Sequence, residues 1–464
     1  MRCRHVALGV GLLMAACGAQ AGQDLLAGWH AAAAHDPTYA AARAGRDAGQ
    51  SKSDQAKALW RPAVVAGANL GWASQTTHTS GASFEAPGFG ASSDVAFKTN
   101  VDSGRAQGWS LMLQQPLINA DRTASSSQLT LQAQLADVQW HQAQQALILK
   151  VSKAHFDVLG ARAALKAAQS EQAAAGRALG EATERFQTGG VPVTAVHDAQ
   201  ARQDMVAAQV LAAQDTLDLS NAAYFDITGL PAEQAVDLPT SADLAQTLAP
   251  LDEWLARAQA DNPQVLQARL AAELARADVA RHGALAGATL DLVARASDDR
   301  IQGNGPYASG SDNARSSSAT RWVGVQLNVP LFTGGMRSSQ ERESIALADK
   351  AQSNSEAVRI EVSRQTRAAW LAVSTGVARV RALAQARLSA GKRLDASRTG
   401  FEVGDRTVLD LLDAEREVQT VDVNLQQARH AVLLGRLNLA AACGGLDEAV
   451  LRDVNQALAE QGLP

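Results

Sequence analysis

The chain of 464 residues is poor in several things at once. It has 3 cysteines, 12 prolines and 4% aromatic residues. Three cysteines cannot build a disulfide scaffold. So few aromatics argue against a large, bulky core. The net charge is −5 and the pI near 6.0, which leaves no electrostatic footprint for nucleic acid. After the first residues no run of 18 apolar residues occurs, so a spanning helix is absent from the mature chain. The prolines are also unevenly placed: none lies between Pro116 and Pro192, and none between Pro330 and Pro464. In their place stands alanine, about a fifth of the chain. Alanine is the best helix former and lets neighbouring helices approach closely. A few very long helices follow from this composition.

The N-terminus is a targeting segment. Met1-Arg2-Cys3-Arg4-His5 is basic, Val6 to Ala16 is apolar, and Ala19-Gln20-Ala21 has the A-x-A form of a signal-peptidase site. Cleavage after Ala21 and export are expected. Met14-Ala15-Ala16-Cys17 offers the alternative of lipidation at Cys17. Cleavage at Ala21 leaves Cys443 as the one cysteine, with no internal disulfide to form.

The chain repeats itself. Arg185-Phe186-Gln187-Thr188-Gly189 and Val193 to Ala199 align, 215 residues on, with Gly400-Phe401-Glu402-Val403-Gly404 and Val408 to Ala414. Asp36-Pro37 answers Asn262-Pro263, each after a short helical stretch with a Trp. The expected organisation is a signal peptide at 1–21, a first repeat at 22–230, a linker at 231–249, a second repeat at 250–445 and a tail at 446–464. Each repeat reads as a short helix (25–34 or 251–260), a helix opened by Pro, a strand pair, a Pro-free helix (121–186 or 337–401) and a last helix of about 35 residues. The last helix carries a heptad seam: Leu411, Val418, Leu425 and Val432 with Ala414, Val421, Ala428 and Gly435. An ordinary bundle core would show the same spacing.

Four strands are expected at about 62–74, 107–118, 286–297 and 321–333. They alternate with period two: Val64, Ala66, Ala68, Leu70 and Trp72 share a face, as do Val323, Val325, Leu327, Val329 and Leu331. Each run has the length of a tilted strand crossing an outer membrane. The stretches between them, Gln75 to Ala106 and Asp298 to Thr320, read as long polar loops. A soluble hairpin packed on helices is the competing reading. Four strands cannot close a barrel, so in lipid several chains would have to contribute.

The ordered set Leu25-Leu26…Asp36-Pro37, Leu111 to Leu117, Phe186…Gly189…Val193-Thr194, Val325 to Gly335 and Gly404 to Ala414 resembles the TolC-like family of outer-membrane channels over nearly the whole mature chain. The resemblance implies a mainly α protein with a small transmembrane β part: a homotrimer sharing a twelve-stranded barrel, four strands per chain, continued by a long α-helical coiled-coil periplasmic tunnel. It implies a passive conduit in the outer-membrane lipid, working with a periplasmic membrane-fusion adaptor and an inner-membrane transporter of the ABC or RND type. Type I protein secretion is the leading use, for example of a repeat-rich toxin or protease. Drug or small-molecule efflux is the alternative, and a pore-less periplasmic adaptor is the alternative of a different class.

The resemblance also assigns a site. Asp410 and Asp413 match the carboxylates that narrow the periplasmic entrance. Three residues apart on a helix they share a face, and a trimer would set six around one axis, attracting cations and raising carboxylate pKa values by mutual repulsion. Thr407-x-x-Asp410 equally has the form of a capping box. The gate region is Thr194, Ala195, Phe401 and Arg406. Well-known members latch this end with an aspartate and a tyrosine on an arginine; Arg406 is kept, but Ala195 and Phe401 replace the two partners. Asp198 or Glu402 could substitute, or the resting pore is looser. No enzyme, metal or cofactor is expected. His30, His35, His78, His141, His155, His197, His282 and His430 lack metal-ligand spacing, and neither Gly303-Asn304-Gly305 nor Gly334-Gly335 has the flanks or lysine of a phosphate loop.

Overall fold

The computed structural model describes residues 24–88, 90–232, 248–283, 287–304 and 313–459. The expected signal peptide with Cys17, Ala19 and Ala21, and most of the expected linker, lie outside them. Nine helices and four strands follow in the order α1 (Leu25–His35), α2 (Pro37–Ala58), β1 (Ala63–Ala86), β2 (Gly90–Asn119), α3 (Ala120–Gln187), α4 (Val193–Thr228), α5 (Leu251–Asp261), α6 (Pro263–His282), β3 (Thr289–Asn304), β4 (Asn313–Asn328), α7 (Met336–Glu402), α8 (Val408–Ala442) and α9 (Glu448–Ala459) among the described residues. The Pro-free stretches become α3 and α7, of 68 and 67 residues. Each is about 100 Å long at 1.5 Å per residue. No described helix is long and apolar enough to cross a membrane.

The chain forms two compact units. The first comprises residues up to Arg46, Val138–Gln267 and Glu356 onward. Its core joins Leu25 and Ala32 of α1, Ile148, Val151 and Leu159 of α3, Leu433 and Leu437 of α8, and Leu451 of α9. Of the heptad positions, Ala414, Ala428 and Val432 are buried, and Leu411, Val418, Val421, Leu425 and Gly435 are half-buried.

Each Pro-opened helix is started by the residue before the proline. Asp36 accepts from the backbone N–H of Thr38 and Tyr39, and Asn262 from those of Gln264 and Val265. These are Asx caps for otherwise orphaned amides. The second contacts differ. Asn262 Nδ2 donates to the Ala442 carbonyl, whereas the buried Asp36 carboxylate receives Lys150 Nζ at 2.5 Å. Burial raises the Asp36 pKa, but the bonds from Lys150, Thr38 and Tyr39 outweigh it and hold the carboxyl well below the usual range.

The tail, which has no counterpart in the other half, is ordered as α9. Asp447 caps it through Val450 N–H. Val450, Leu451 and Val454 pack on the core, and Asn455 reaches the start of α1: its Oδ1 accepts from Leu25 N at 3.0 Å and its Nδ2 donates to Asp24 at 2.8 Å.

The second unit comprises Asp47–Asp137 and Ala268–Ser355. Its four strands form one antiparallel sheet in the order β1-β2-β3-β4. Below the sheet, α2 and α3 approach so closely that a Cβ on Gly49 would lie 2.1 Å from Ala136 Cβ. The strands run well beyond their expected ends. Residues expected as polar loops are instead ladder: His78 pairs with Lys98, Thr79 with Phe97, Asp298 with Ala319 and Gln302 with Arg315. An amphipathic period marks a strand only where one face meets something apolar, and here both faces are polar. Threonine, valine and phenylalanine carry the β propensity on their own. At the other end β4 stops at Asn328 rather than 333, because Pro330 has no N–H for the ladder.

The Asp36 pair has a pH signature. A carboxyl whose folded pKa lies below its unfolded value of about 4 contributes stability that is complete above that pH and is lost as pH falls toward the folded value. Asp36→Asn keeps the cap and removes the charge. Its urea midpoint should therefore fall less between pH 6 and pH 3 than the parent's. Asp36→Ala loses cap and pair together and should cost about 2–4 kcal/mol at neutral pH.

Candidate functional site

The expected gate residues converge in the first unit, where α3 turns into α4 and α7 into α8. Both turns have one geometry. Gly189 N–H bonds to Phe186 O and Gly190 N–H to Arg185 O; Gly404 N–H bonds to Phe401 O and Asp405 N–H to Gly400 O. These are Schellman closures, and they need a left-handed residue just past the helix end. Gly189 and Gly404 supply it with φ of 79° and 81°. After the turns the two differ. Pro192 opens α4 without a side-chain cap, whereas Thr407 and Asp410 form a reciprocal capping box at α8.

The turns lie against each other. The Arg185 guanidinium sits over the Phe401 ring, 5.3 Å from its centroid. A cleft of about 310 Å³ is lined by Arg185, Thr194, Ala195, Asp198, Arg406 and Leu409, among others. Thr194, Ala195 and Arg406 are thus brought together at one cleft, with Phe401 held beside it. Neither proposed substitute for the missing latch partners is engaged: Arg406 forms no ion pair with a described residue, Asp198 included.

The two carboxylates have separate fates. Asp410 is taken up by capping. It accepts from Thr407 N at 2.9 Å and from the Thr407 hydroxyl at 2.8 Å. Those bonds from Thr407 lower its pKa, with Arg406 and Arg393 adding to the effect. Within one chain the direction is opposite to the expected rise. Asp413 is exposed, its side chain 68% accessible, with Arg202 at 4.0 Å.

That arginine belongs to a network the sequence reading missed. Arg202 pairs with Glu171 at 2.9 Å, and Arg416 meets the same carboxylate oxygen at 3.6 Å. The three tie α3, α4 and α8 together just behind the turns. Arg393 with Glu417 and Arg387 with Asp422 join α7 to α8. The Arg185–Phe401 contact was missed as well. Both residues stand in the aligned motif, but only the three-dimensional turn places the arginine of one half on the ring of the other.

Comparison with known proteins places the chain. The family described as Outer membrane efflux protein matches residues 29–230 and 254–445. The chain belongs to this family, and it is an outer-membrane protein. It is similar to Outer membrane protein TolC of Vibrio cholerae, at 35% identity over 334 residues, 70% of this chain and 74% of that protein. It is similar to Alkaline protease secretion protein AprF of Pseudomonas aeruginosa, at 28% identity over 434 residues, 92% of this chain and 85% of that one. Among solved structures, the CmeC outer membrane channel of Campylobacter jejuni has the same fold, with a TM-score of 0.71 at 13% identity, over 94% of this chain and 89% of that one.

Truncating the stacked pair tests whether it holds the turns. Arg185→Ala or Phe401→Leu removes a partly exposed cation–π contact worth about 0.5–1 kcal/mol. Amide exchange at 403–406 should accelerate about two- to fivefold. Unchanged exchange would show that the Schellman bonds alone fix the turn.

Proposed function

We propose that three copies of the chain close a twelve-stranded barrel in the outer membrane, continued by a periplasmic tunnel of the long helices, and that this conduit serves type I protein secretion. Each repeat, 22–230 and 250–445, contributes one hairpin and one pair of long helices to the wall. The conduit works with a periplasmic adaptor and an inner-membrane transporter, and cargo crosses without chemistry.

One observation carries the reading. The four-stranded sheet ends in β1 and β4, which have no outer neighbour among the described residues, while many of their side chains are exposed and apolar. Val64, Leu70 and Trp72 on β1 are 61%, 68% and 79% exposed, and Val323, Val325 and Leu327 on β4 are 75%, 57% and 66%. Such edges in lipid must be paired, and the only partner of matching register is another copy. The likeness to a protein named for alkaline protease secretion favours protein as cargo. The family's description as efflux proteins supports small-molecule export as the second reading.

Asp410 and Asp413, one at the first turn of α8 and one exposed a turn further, are proposed as the entrance carboxylates. With Ala195 and Phe401 in place of a latch, the resting pore is proposed to be looser than one held by an aspartate and a tyrosine.

Outer-membrane fractions should contain a heat-modifiable trimer, and the purified protein should conduct in planar bilayers. A monomer without conductance would overturn the channel reading. Asp410→Ala/Asp413→Ala should lower cation selectivity; unchanged selectivity would remove the carboxylate ring. Loss of a secreted protein on deletion, with drug susceptibility unchanged, separates secretion from efflux.

A further inference from the structure

Ladder register assigns each strand residue to one of the sheet's two faces. On the face of Val64 and Leu70 the side chains form rungs across the sheet. From the helix-connected end they run Ile118–Leu290–Leu327, then Gln115–Leu292–Val325, then Val64–Leu113–Ala294–Val323, then Ala66–Leu111–Ala296–Arg321, then Ala68–Trp109–Asp298–Ala319. The next rung is Leu70–Gln107–Arg300–Ser317, and the one after it Trp72–Arg105–Gln302–Arg315. The face is thus mostly apolar over the first three rungs, Gln115 apart, and changes character from the fourth, where Arg321 stands. Arg105, Arg300, Arg315 and Arg321 converge on its hairpin side, with Asp298 the one acidic residue among these rungs.

The change falls at a meaningful height. From Leu290 to Arg300 is ten residues, about 33 Å along the strand at 3.3 Å per residue. A tilt of about 40° reduces this to about 25 Å, the height of the apolar band on an outer-membrane barrel. Trp109 stands one rung below Arg300 and Trp72 one rung above it, both exposed by half or more, where interfacial aromatic side chains belong. A depression of about 780 Å³ is lined by Trp72, Arg105, Gln107, Arg300, Arg315 and Ser317. Asp298 engages Arg300 through both carboxylate oxygens, at 2.9 and 3.1 Å. Arg105, Arg315 and Arg321 form no ion pair with a described residue. The barrel reading leaves this basic cluster unexplained: a lipid-facing wall needs no arginines.

We propose that this cluster is a binding site for the phosphates of an anionic glycolipid in the outer leaflet. Arg105 and Arg315, on one rung two strands apart, and Arg300 one rung below, present planar guanidinium groups to phosphate oxygens. Arginine is suited to this because its fork can bind two oxygens at once. Arg321, two rungs nearer the membrane centre than Arg300, reaches the same level by extending its side chain toward the headgroups. Acyl chains of the bound lipid then lie along Leu111, Leu113, Val323 and Val325 below. The proposal rests on the sheet being a membrane wall.

The test uses the full-length protein in detergent, with native mass spectrometry and Trp fluorescence as readouts. The probes are bisphosphorylated lipid A, dephosphorylated lipid A and inorganic phosphate. The parent should bind the bisphosphorylated lipid at least about tenfold more tightly than the dephosphorylated one, with binding weakened by salt. Arg105→Gln/Arg300→Gln/Arg315→Gln should reduce that affinity by about ten- to a hundredfold, at about tenfold per 1.4 kcal/mol and about 1 kcal/mol per arginine, while keeping the trimer and its conductance. Millimolar phosphate should not compete; competition would identify a free-anion site instead. Equal binding of the two lipids by the parent overturns the proposal, whether or not the variant folds. Failure of the membrane-wall reading shows differently, as a parent protein that neither trimerises nor conducts.

Discussion

A peptide group inside hydrocarbon has no water to turn to. Under that constraint the organisation of this chain follows as a consequence. Two hairpins of one polypeptide come together through the β2–β3 ladder, from Asp102 with Asn304 down to Asn119 with Thr289. This sheet satisfies the backbone of its two inner strands and leaves the outer rows of β1 and β4 open. On the reading proposed here, the same unmet hydrogen bonds dictate copy number, since only identical neighbours bring β4 of one subunit to β1 of the next in register. The same reading makes the 68- and 67-residue helices the wall of the tunnel.

The opposite end of the helices works by another economy. Two turns of one design, each closed by a glycine at φ near 80°, bring the ends of α3 and α7 within reach of each other. What distinguishes the turns is their exit. A capping box anchors α8, and nothing equivalent anchors α4. Charged groups hold the surrounding helices in pairs: Arg202, Glu171 and Arg416 between α3, α4 and α8, and Arg393 with Glu417 between α7 and α8. The exposed Arg393–Glu417 pair contributes little, whereas Arg202 and Glu171 are mostly shielded from solvent.

The helical part was legible because its signals are local. Proline-free spans, Pro after Asp or Asn, Gly at the helix ends and a seven-residue seam each act within a turn or two of chain. The apolar parts of the strands were legible for the same reason, through Val64 to Trp72 and Val323 to Leu327. Beyond the band the signal vanished, since Thr76 to Thr79 and Ser316 to Ser318 are polar on both faces and only the pairing register reveals a ladder. At the site, Asp410, Arg406 and Phe401 were legible as positions but not as partners. That Asp410 is occupied by Thr407 could be read from spacing. That Arg185 covers Phe401 could not, because the two are brought together by helices that fold back over more than two hundred residues. The helix α9 was missed because it has no counterpart to align with.

That last helix also orders events in time. The bonds from Asn455 to Leu25 and Asp24 close a separation of 430 residues. A chain delivered across the inner membrane from its N-terminus presents α1 first and α9 last. The first helix therefore emerges long before the residue that seats it, and α3, whose Ile148 and Leu159 share its core, waits with it. Contacts this remote close slowly. Until Leu451 and Asn455 arrive, the apolar surface that they complete around Leu25 stays uncovered.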